Sequence, residues 1–117
     1  MNNLIGEDIV AASANLAEDF SSVYIGVDVG TGSVRAAFFT ETGKLLSSTS
    51  RPITVNNPFP DIYQQSSVEI WSAVCGCIAE LAQSTRCRFN KALEIGGIGF
   101  AATCSLAVFG RDKKGLR

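Results

Sequence analysis

The sequence predicts an α/β domain in which three antiparallel strands, a helix and a parallel strand build a mixed sheet with the helix on its face. Residues 23–54 contain three apolar stretches separated by short turns. Residues 67–85 carry apolar side chains at helical spacing, and a glycine-rich apolar stretch follows at 94–100. Strands joined by tight turns pair antiparallel, whereas a strand that follows a helical crossover returns parallel to its neighbour. The length of 117 residues suits one compact domain.

The first half of the predicted domain is a three-stranded meander. The first strand covers about 23–29 and the second about 33–40, with a tight turn at 30–32 between them. Gly43 supplies the next turn because glycine tolerates a positive φ. The third strand covers about 44–54, and its Ser-rich, weakly alternating half is typical of an edge strand.

A loop and a helix come next in the predicted order. Residues 55–65 are expected to be loop because they contain two prolines and an Asn-Asn-Pro turn signal. The helix at about 67–85 begins at a capping box formed by Ser66 and Glu69. Its apolar face is predicted to consist of Ile70, Trp71, Val74, Ile78, Leu81 and Ala82.

The two ends of the chain receive simpler predictions. Residues 1–22 are expected to be an N-terminal leader, helical or disordered, and receive no function. Residues 94–100 are predicted to be a buried strand that three glycines make bendable. A further short strand is expected at 104–109.

The composition excludes several classes of function. A net charge of -1 and a pI near 5.3 argue against binding to nucleic acid or to an anionic membrane. The chain has no histidine, which excludes histidine acid–base catalysis and mixed Cys/His zinc sites. No stretch reaches the roughly 20 apolar residues of a membrane span. These features predict a cytoplasmic protein without nucleic-acid or membrane partners.

The four cysteines predict reduced thiols rather than a disulfide framework. Cys75 and Cys77 lie two residues apart in the predicted helix, so their side chains point to different faces and cannot clamp one metal ion. Cysteine behaves as a small hydrophobic residue, and we expect two or more of the four to lie in the core.

A tight turn between the first two strands needs a chemical explanation. Residues 28–35 read DVGTGSVR, in which the acid Asp28 ends an apolar strand and a Gly-Thr-Gly turn follows. The dinucleotide-binding fingerprint does not fit, because it requires Gly-x-Gly-x-x-Gly opening a helix and the next segment here is β-like. The Walker A loop does not fit either, because it requires a Gly-Lys pair that this stretch lacks.

A strand–turn–strand arrangement explains the stretch better. Successive backbone N–H groups at such a turn form an anion-binding concavity, and glycines let a phosphate approach the backbone closely. The hydroxyls of Thr31 and Ser33 add donors, and Arg35 adds a positive charge. Asp28 would then hold a magnesium ion that bridges phosphates. The alternative is an ordinary glycine hairpin in which Asp28 is a local hydrogen-bonding cap.

Three segments carry a resemblance to a known family. Residues 28–35 resemble the first phosphate motif of the FGGY carbohydrate kinases, two-domain members of the superfamily of actin, hexokinase and heat-shock-chaperone ATPases. Residues 63–71, YQQSSVEIW, are similar to that family's segment entering its first helix. Residues 97–106, GIGFAATCSL, resemble its ribulokinase-like subgroup. The resemblance spans about residues 23–112.

The resemblance implies a fold and a set of site residues. The fold is actin-like ATPase or ribonuclease H-like, and residues 23–117 would be a truncated N-terminal subdomain of it. The alternative for the residues assigned to the sugar is a purely structural role: Gln65 as a loop amide, Trp71 as a core aromatic, and residues 103–105 as a chain reversal. The ATP phosphates would bind at Gly30, Thr31, Gly32, Ser33 and Arg35, Mg2+ at Asp28, and the sugar at Gln65, Trp71, Thr103, Cys104 and Ser105.

The resemblance also implies an activity. The parent protein would be an ATP-dependent kinase acting on a hydroxyl of a ketose or polyol, with a ribulose-like sugar preferred. The family's general-base Asp, second phosphate motif and adenosine motif lie downstream of the matched region. We therefore expect the chain alone to be inactive, and we expect its partner to be a missing C-terminal domain or an unknown protein. Ala101 stands where the subgroup has an Asp, which removes a polar partner if that acid contacts sugar.

Two other functions remain as alternatives. The chain could be a catalytically dead short isoform that acts as a binding or interaction module. It could also be a superfamily relative of different function, such as an actin-like or chaperone ATPase. The sugar-side segments at 63–71 and 97–105 argue against the last of these.

Overall fold

The computed structural model describes residues 20–90 and 92–112. Within these ranges, a four-stranded sheet has the order β3-β2-β1-β6, a separate hairpin joins β4 to β5, and one helix packs on the sheet. Pairing is antiparallel for β1 with β2 and for β2 with β3, and parallel for β1 with β6. The predicted fold class is confirmed. The elements are β1 Ser22–Val29, β2 Ser33–Thr40, β3 Leu45–Pro52, β4 Asn56–Phe59, β5 Ile62–Gln64, α1 Ser67–Phe89 and β6 Glu94–Ala102.

The core lies between one face of the sheet and α1. Strict alternation along β1 and β2 places every second apolar side chain on this face, as a half-buried sheet requires. Fully burying one such side chain contributes about 1.5–3 kcal/mol. The strands contribute Val23, Ile25, Val27, Val34, Ala36, Phe38 and Leu46, and the helix contributes Ala73, Val74, Cys77 and Leu81.

Capping residues define both ends of α1. The Ser66 hydroxyl accepts a hydrogen bond from the Glu69 amide at 3.3 Å, which satisfies one of the donors left open at the helix start. Asn90 ends the helix in the left-handed conformation, with φ 45° and ψ 44°. The core extends back to Phe20, whose ring meets that of Phe89 edge to face at 5.5 Å. Residues 1–19, most of the predicted leader, lie outside the described residues.

The turn and edge predictions for the meander are confirmed. Gly43 has φ 83° in the turn between β2 and β3, and β3 is an edge strand of the sheet. The prediction of loop at 55–65 is wrong, because β4 and β5 form a two-stranded hairpin there. Each strand of a two-stranded ribbon is an edge, so the missing N–H of Pro58 leaves no central ladder position unpaired.

The apolar face predicted for α1 is wrong for one residue. Trp71 is 64% exposed, whereas the buried stripe of the helix includes Ala73, Cys77 and Leu81. At 3.6 residues per turn, position 71 lies roughly 200° around the helix from position 73. Trp71 therefore points away from the sheet.

Two predictions for the C-terminal part are also wrong. β6 was expected to be buried, but eight of its nine residues are exposed, since among the described residues it is an edge strand with one neighbour. No strand occupies 104–109 among the described residues, where Phe109 makes an isolated bridge.

One cysteine, rather than two or more, lies in the core. Cys77 is buried and the other three are exposed, so Cys75 and Cys77 do face different sides of α1. Burial raises the pKa of the Cys77 thiol, which keeps it a protonated core group. No helix within residues 20–90 and 92–112 has the length and apolarity needed to cross a membrane.

The helix face can be tested by comparing two truncations. Leu81→Ala removes a side chain that is 2% exposed and should lower the free energy of unfolding by about 2–5 kcal/mol. Trp71→Ala removes a larger but exposed side chain and should change it by less than about 1 kcal/mol. Urea denaturation followed by circular dichroism measures both. A loss from Trp71→Ala equal to that from Leu81→Ala would contradict the observed helix face.

Candidate functional site

The candidate site is the turn between β1 and β2, held at one end of the sheet by three other segments. The amide of Thr103, just after β6, donates to the Val29 carbonyl at 3.0 Å. The amide of Ile53, just after β3, donates to the Gly32 carbonyl at 3.0 Å. The side-chain amide of Gln65, just before α1, donates to the Thr31 carbonyl at 2.7 Å. Contacts from across the chain thus fix the backbone of a short exposed turn.

The two glycines of the turn differ in the space that a side chain would have. A side chain at Gly30 would place its Cβ 3.1 Å from the Ser33 carbonyl, which accepts a 2.9 Å hydrogen bond from the Gly30 amide. A side chain at Gly32 would meet nothing within 4 Å, and Gly32 does not have a positive φ. Neither packing nor backbone conformation within the described chain requires glycine at position 32. Its effect is to leave the tip of the turn open.

The hydrogen bonding of the turn is one-sided. The carbonyls of Thr31 and Gly32 both accept hydrogen bonds from neighbouring segments. The amides of the same two residues make no hydrogen bond to anything in residues 20–90 or 92–112. Exposed successive N–H groups of this kind are what an anion-binding concavity needs.

A carboxylate and a guanidinium flank the turn on the side of the sheet away from α1. Asp28 on β1 lies directly opposite Arg35 on β2, and both side chains are exposed. Neither makes an ion pair or side-chain hydrogen bond with any residue that the structure describes. Both groups border an open concavity of about 930 Å³ whose lining includes Phe39. Both charged side chains are therefore exposed on the open side of the sheet.

The described residues at this end of the sheet include no ready-made cluster of metal ligands. Within the described ranges, no group of three or more His, Cys, Asp or Glu residues is placed to hold a metal ion. Asp28 is a single exposed carboxylate with Ala101 beside it on β6. Such a donor can contribute to a site that a ligand completes.

The structure brings some of the predicted sugar-side residues to the turn and leaves others away from it. Gln65 contacts the turn directly, and Thr103 contacts Val29 through both its amide and its hydroxyl, the latter at 3.3 Å. Trp71 is exposed on α1, and Cys104 and Ser105 are exposed after β6. No hydrogen bond links these three to the turn within the described part of the chain.

Sequence reasoning missed the role of Glu69. Its carboxylate accepts from both the amide and the hydroxyl of Thr54, each at 2.9 Å, whereas the capping-box pattern had it returning to Ser66. The start of α1 is thereby tied to the segment leaving β3, which also holds the turn through Ile53. A concavity of about 550 Å³ lies beside these contacts, with Gln65 and Glu69 in its lining.

A family model described as "FGGY family of carbohydrate kinases, N-terminal domain" matches residues 23–117. This chain belongs to the FGGY family of carbohydrate kinases. The resemblance seen in the three sequence segments is therefore confirmed.

Curated FGGY proteins resemble the chain over most of its length. An FGGY carbohydrate kinase domain-containing protein from Danio rerio is 41% identical over 93 residues, covering 80% of this chain and 16% of that protein. A D-ribulokinase from Saccharomyces cerevisiae is 42% identical over 85 residues, covering 73% of this chain and 12% of that protein. The chain thus spans less than a fifth of these relatives' length.

Solved structures of kinases share the fold. A ligand-bound xylulose kinase from Lactobacillus acidophilus superposes with a TM-score of 0.73 at 23% identity, covering 83% of this chain and 19% of that one. A Plasmodium falciparum glycerol kinase with ADP gives 0.66 at 18% identity, covering 69% of this chain and 16% of that one. The sheet and helix described above are therefore an arrangement that known sugar kinases also contain.

The different constraints on the two turn glycines can be tested by alanine substitution. Gly30→Ala should lower the free energy of unfolding by about 1–3 kcal/mol, because its methyl group crowds the Ser33 carbonyl. Gly32→Ala should stay within about 1 kcal/mol of wild type, because open space surrounds that position. Thermal and urea unfolding of the two variants measure the difference. A larger loss from Gly32→Ala than from Gly30→Ala would contradict the geometry of the turn.

Proposed function

We propose that this chain is the N-terminal part of an ATP-dependent sugar kinase and that the β1–β2 turn binds the phosphates of ATP. The observation that carries the proposal is the open tip at Gly32, where amides without partners among the described residues meet a glycine that the chain's own packing does not require. The FGGY family match supports it. The presence of ADP in the related Plasmodium falciparum glycerol kinase structure supports a nucleotide as ligand.

Each residue of the turn has a proposed task. Backbone amides at Thr31 and Gly32 would donate to phosphate oxygens, with the Ser33 hydroxyl as a further donor. Gly30, whose own amide already donates to the Ser33 carbonyl, would let a phosphate approach the backbone closely. Arg35 would place a positive charge against the same phosphates. Phosphoryl transfer depends mainly on positioning and on neutralising charge, so a preorganised set of donors is what this side of a kinase site must supply.

Asp28 fits a magnesium ion that arrives with the nucleotide. Mg2+ favours one or two carboxylates, with phosphate oxygens and waters completing its shell. A single exposed carboxylate beside the turn, in a region with no closed cluster of ligands among the described residues, matches that donor set. When bound, the ion would neutralise phosphate charge next to Arg35, and Asp28 would hold it at the strand end.

The proposed substrate is a ketose or polyol, with a ribulose-like sugar preferred. The 42% identity to a D-ribulokinase favours ribulose, while a xylulose kinase from Klebsiella pneumoniae is 32% identical over 81 residues. We propose Gln65 and Thr103, which both contact the turn, as sugar-side residues. We propose Trp71, Cys104 and Ser105 as further sugar contacts. Ala101 offers the sugar no polar side chain where the ribulokinase-like subgroup has an Asp.

We propose that the chain acts in the cytoplasm and that catalysis needs a further domain or a protein partner. The open face of the sheet and the exposed side chains of Ile98 and Phe100 on β6 support the need for such a part. The same exposed surface favours the second candidate function, a short form that binds a partner without turnover. Sugar and ATP are the small-molecule ligands in the first case.

The magnesium role of Asp28 can be tested by binding rather than by turnover. Asp28→Asn removes the charge but keeps the shape of the side chain. In wild type, adding Mg2+ should tighten ATP binding about tenfold, equivalent to roughly 1.4 kcal/mol, and the variant should lose that gain. Asp61→Asn, in the exposed β4–β5 turn, is the matched control and should keep it. Titration with and without Mg2+ decides, and an intact magnesium effect in Asp28→Asn would exclude the proposed role.

Turnover by the chain alone distinguishes half a kinase site from a complete one. Purified 117-residue protein should show no ATP hydrolysis dependent on D-ribulose above the rate measured without sugar. The physical reason is that phosphoryl transfer needs donors on both sides of the phosphates. Coupled detection of ADP measures it. Clear sugar-dependent turnover would contradict the proposed need for a further part.

A further inference from the structure

We propose that Gln65 is a positioning residue that orients the Thr31–Gly32 peptide, so that the Gly32 amide points to the open side of the turn. This inference rests on the proposed phosphate-binding function and assigns Gln65 a task different from the sugar contact expected above. Its starting observation is the 2.7 Å hydrogen bond from the Gln65 side-chain amide to the Thr31 carbonyl.

The direction of that hydrogen bond follows from chemistry. A backbone carbonyl oxygen can only accept a hydrogen bond, so the Gln65 side chain must present its NH2 group to Thr31. The assignment of the two ends of this amide is therefore fixed by its partner.

The planar peptide bond links the orientation of the Thr31 carbonyl to that of the Gly32 amide. The carbonyl of Thr31 and the amide of Gly32 belong to one planar trans unit and point in opposite directions. A donor that holds the carbonyl toward α1 therefore turns the Gly32 N–H away from α1. The backbone amide of Ile53 acts in the same way on the next peptide, because it holds the Gly32 carbonyl at 3.0 Å.

Gly32 is the position in the turn that most needs such support. It has no side chain, and nothing lies within 4 Å of where a Cβ would be, so its own packing does not fix the peptide. Glycine also has the widest range of backbone conformations. The external hydrogen bonds at Thr31 and Gly32 replace the restraint that a side chain would supply.

The backbone of Gln65 is held in place by the elements on either side of it. It lies between β5 and Ser66, the residue that caps α1. Glu69, in the first turn of the helix, anchors this helix start to Thr54 through two 2.9 Å hydrogen bonds. The helix N-terminus therefore helps to set the orientation of the Gly32 amide, through the side chain of Gln65.

The test compares Gln65→Met with Gln64→Met in the labelled 117-residue protein. Methionine has a similar length and lacks the N–H donor, and Gln64 is the neighbouring glutamine, for which no side-chain contact to the turn is seen among the described residues. Without ligand, residual dipolar couplings report the orientation of the Gly32 N–H, and the carbonyl 13C shift of Thr31 reports its hydrogen bond. We expect both to change in Gln65→Met and to stay unchanged in Gln64→Met. Unchanged values in Gln65→Met would overturn the proposal.

Binding of Mg2+-ADP then connects orientation to function. Gln65→Met should weaken the affinity about five- to tenfold, the effect of one misdirected hydrogen bond, while Gln64→Met keeps it. If the Gly32 amide reorients but the affinity of Gln65→Met equals that of wild type, the positioning role in phosphate binding is overturned. If wild type itself binds no Mg2+-ADP, the proposed phosphate-binding function is overturned. The residual dipolar couplings, which are measured without ligand, still show whether Gln65 orients the Gly32 amide. Gln65→Glu, which keeps the shape without the donor, serves if the methionine variant does not fold.

Discussion

The antiparallel pairing of β1 with β2 is the constraint on which the rest of this structure depends. The two strands stay in register from Val23 opposite Thr40 to Val29 opposite Val34. That register sends one set of side chains into the core under α1 and the other set to the open face. A slip of one residue would exchange the two faces, expose the core and remove Asp28 and Arg35 from the flanks of the turn. Folding and the candidate site thus share one register.

The turn at the end of this pair is supported from outside rather than by its own side chains. Its carbonyls are held by Ile53 and Gln65, and its first strand is held by Thr103. These supports come from segments far apart in sequence, so they form only when the sheet, the hairpin and the helix start are assembled. The donors that remain exposed are then fixed before any ligand arrives, which lowers the cost of ordering them on binding.

Local patterns in the sequence were sufficient for much of this architecture. Alternation predicts β1 and β2, Ser66 predicts the start of α1, and Gly43 predicts the turn with positive φ, because each depends on neighbouring residues. The errors concern the environment of a segment. The apolar composition of β6 predicts burial, but its exposure depends on which elements pack beside it. Trp71 has the size and polarity of a core residue, yet its angle around the helix turns it outward.

In the candidate site, too, features that depend on neighbouring residues are predicted, and contacts between distant segments are not. The residue types in DVGTGSVR predict an anion-binding turn flanked by Asp28 and Arg35, and the fold places them together. The contact of Gln65 with Thr31 joins residues 34 positions apart. The hydrogen bonds of Glu69 to Thr54 depend on how α1 is set against β3, and no local motif contains that information.

A crystal structure of the chain with bound Mg2+-ADP would test the central claim most directly. The account predicts a phosphate group at the β1–β2 turn, within hydrogen-bond distance of the Gly32 amide, with the metal ion next to Asp28. A nucleotide bound elsewhere on the chain, with the Gly32 amide facing solvent, would contradict it.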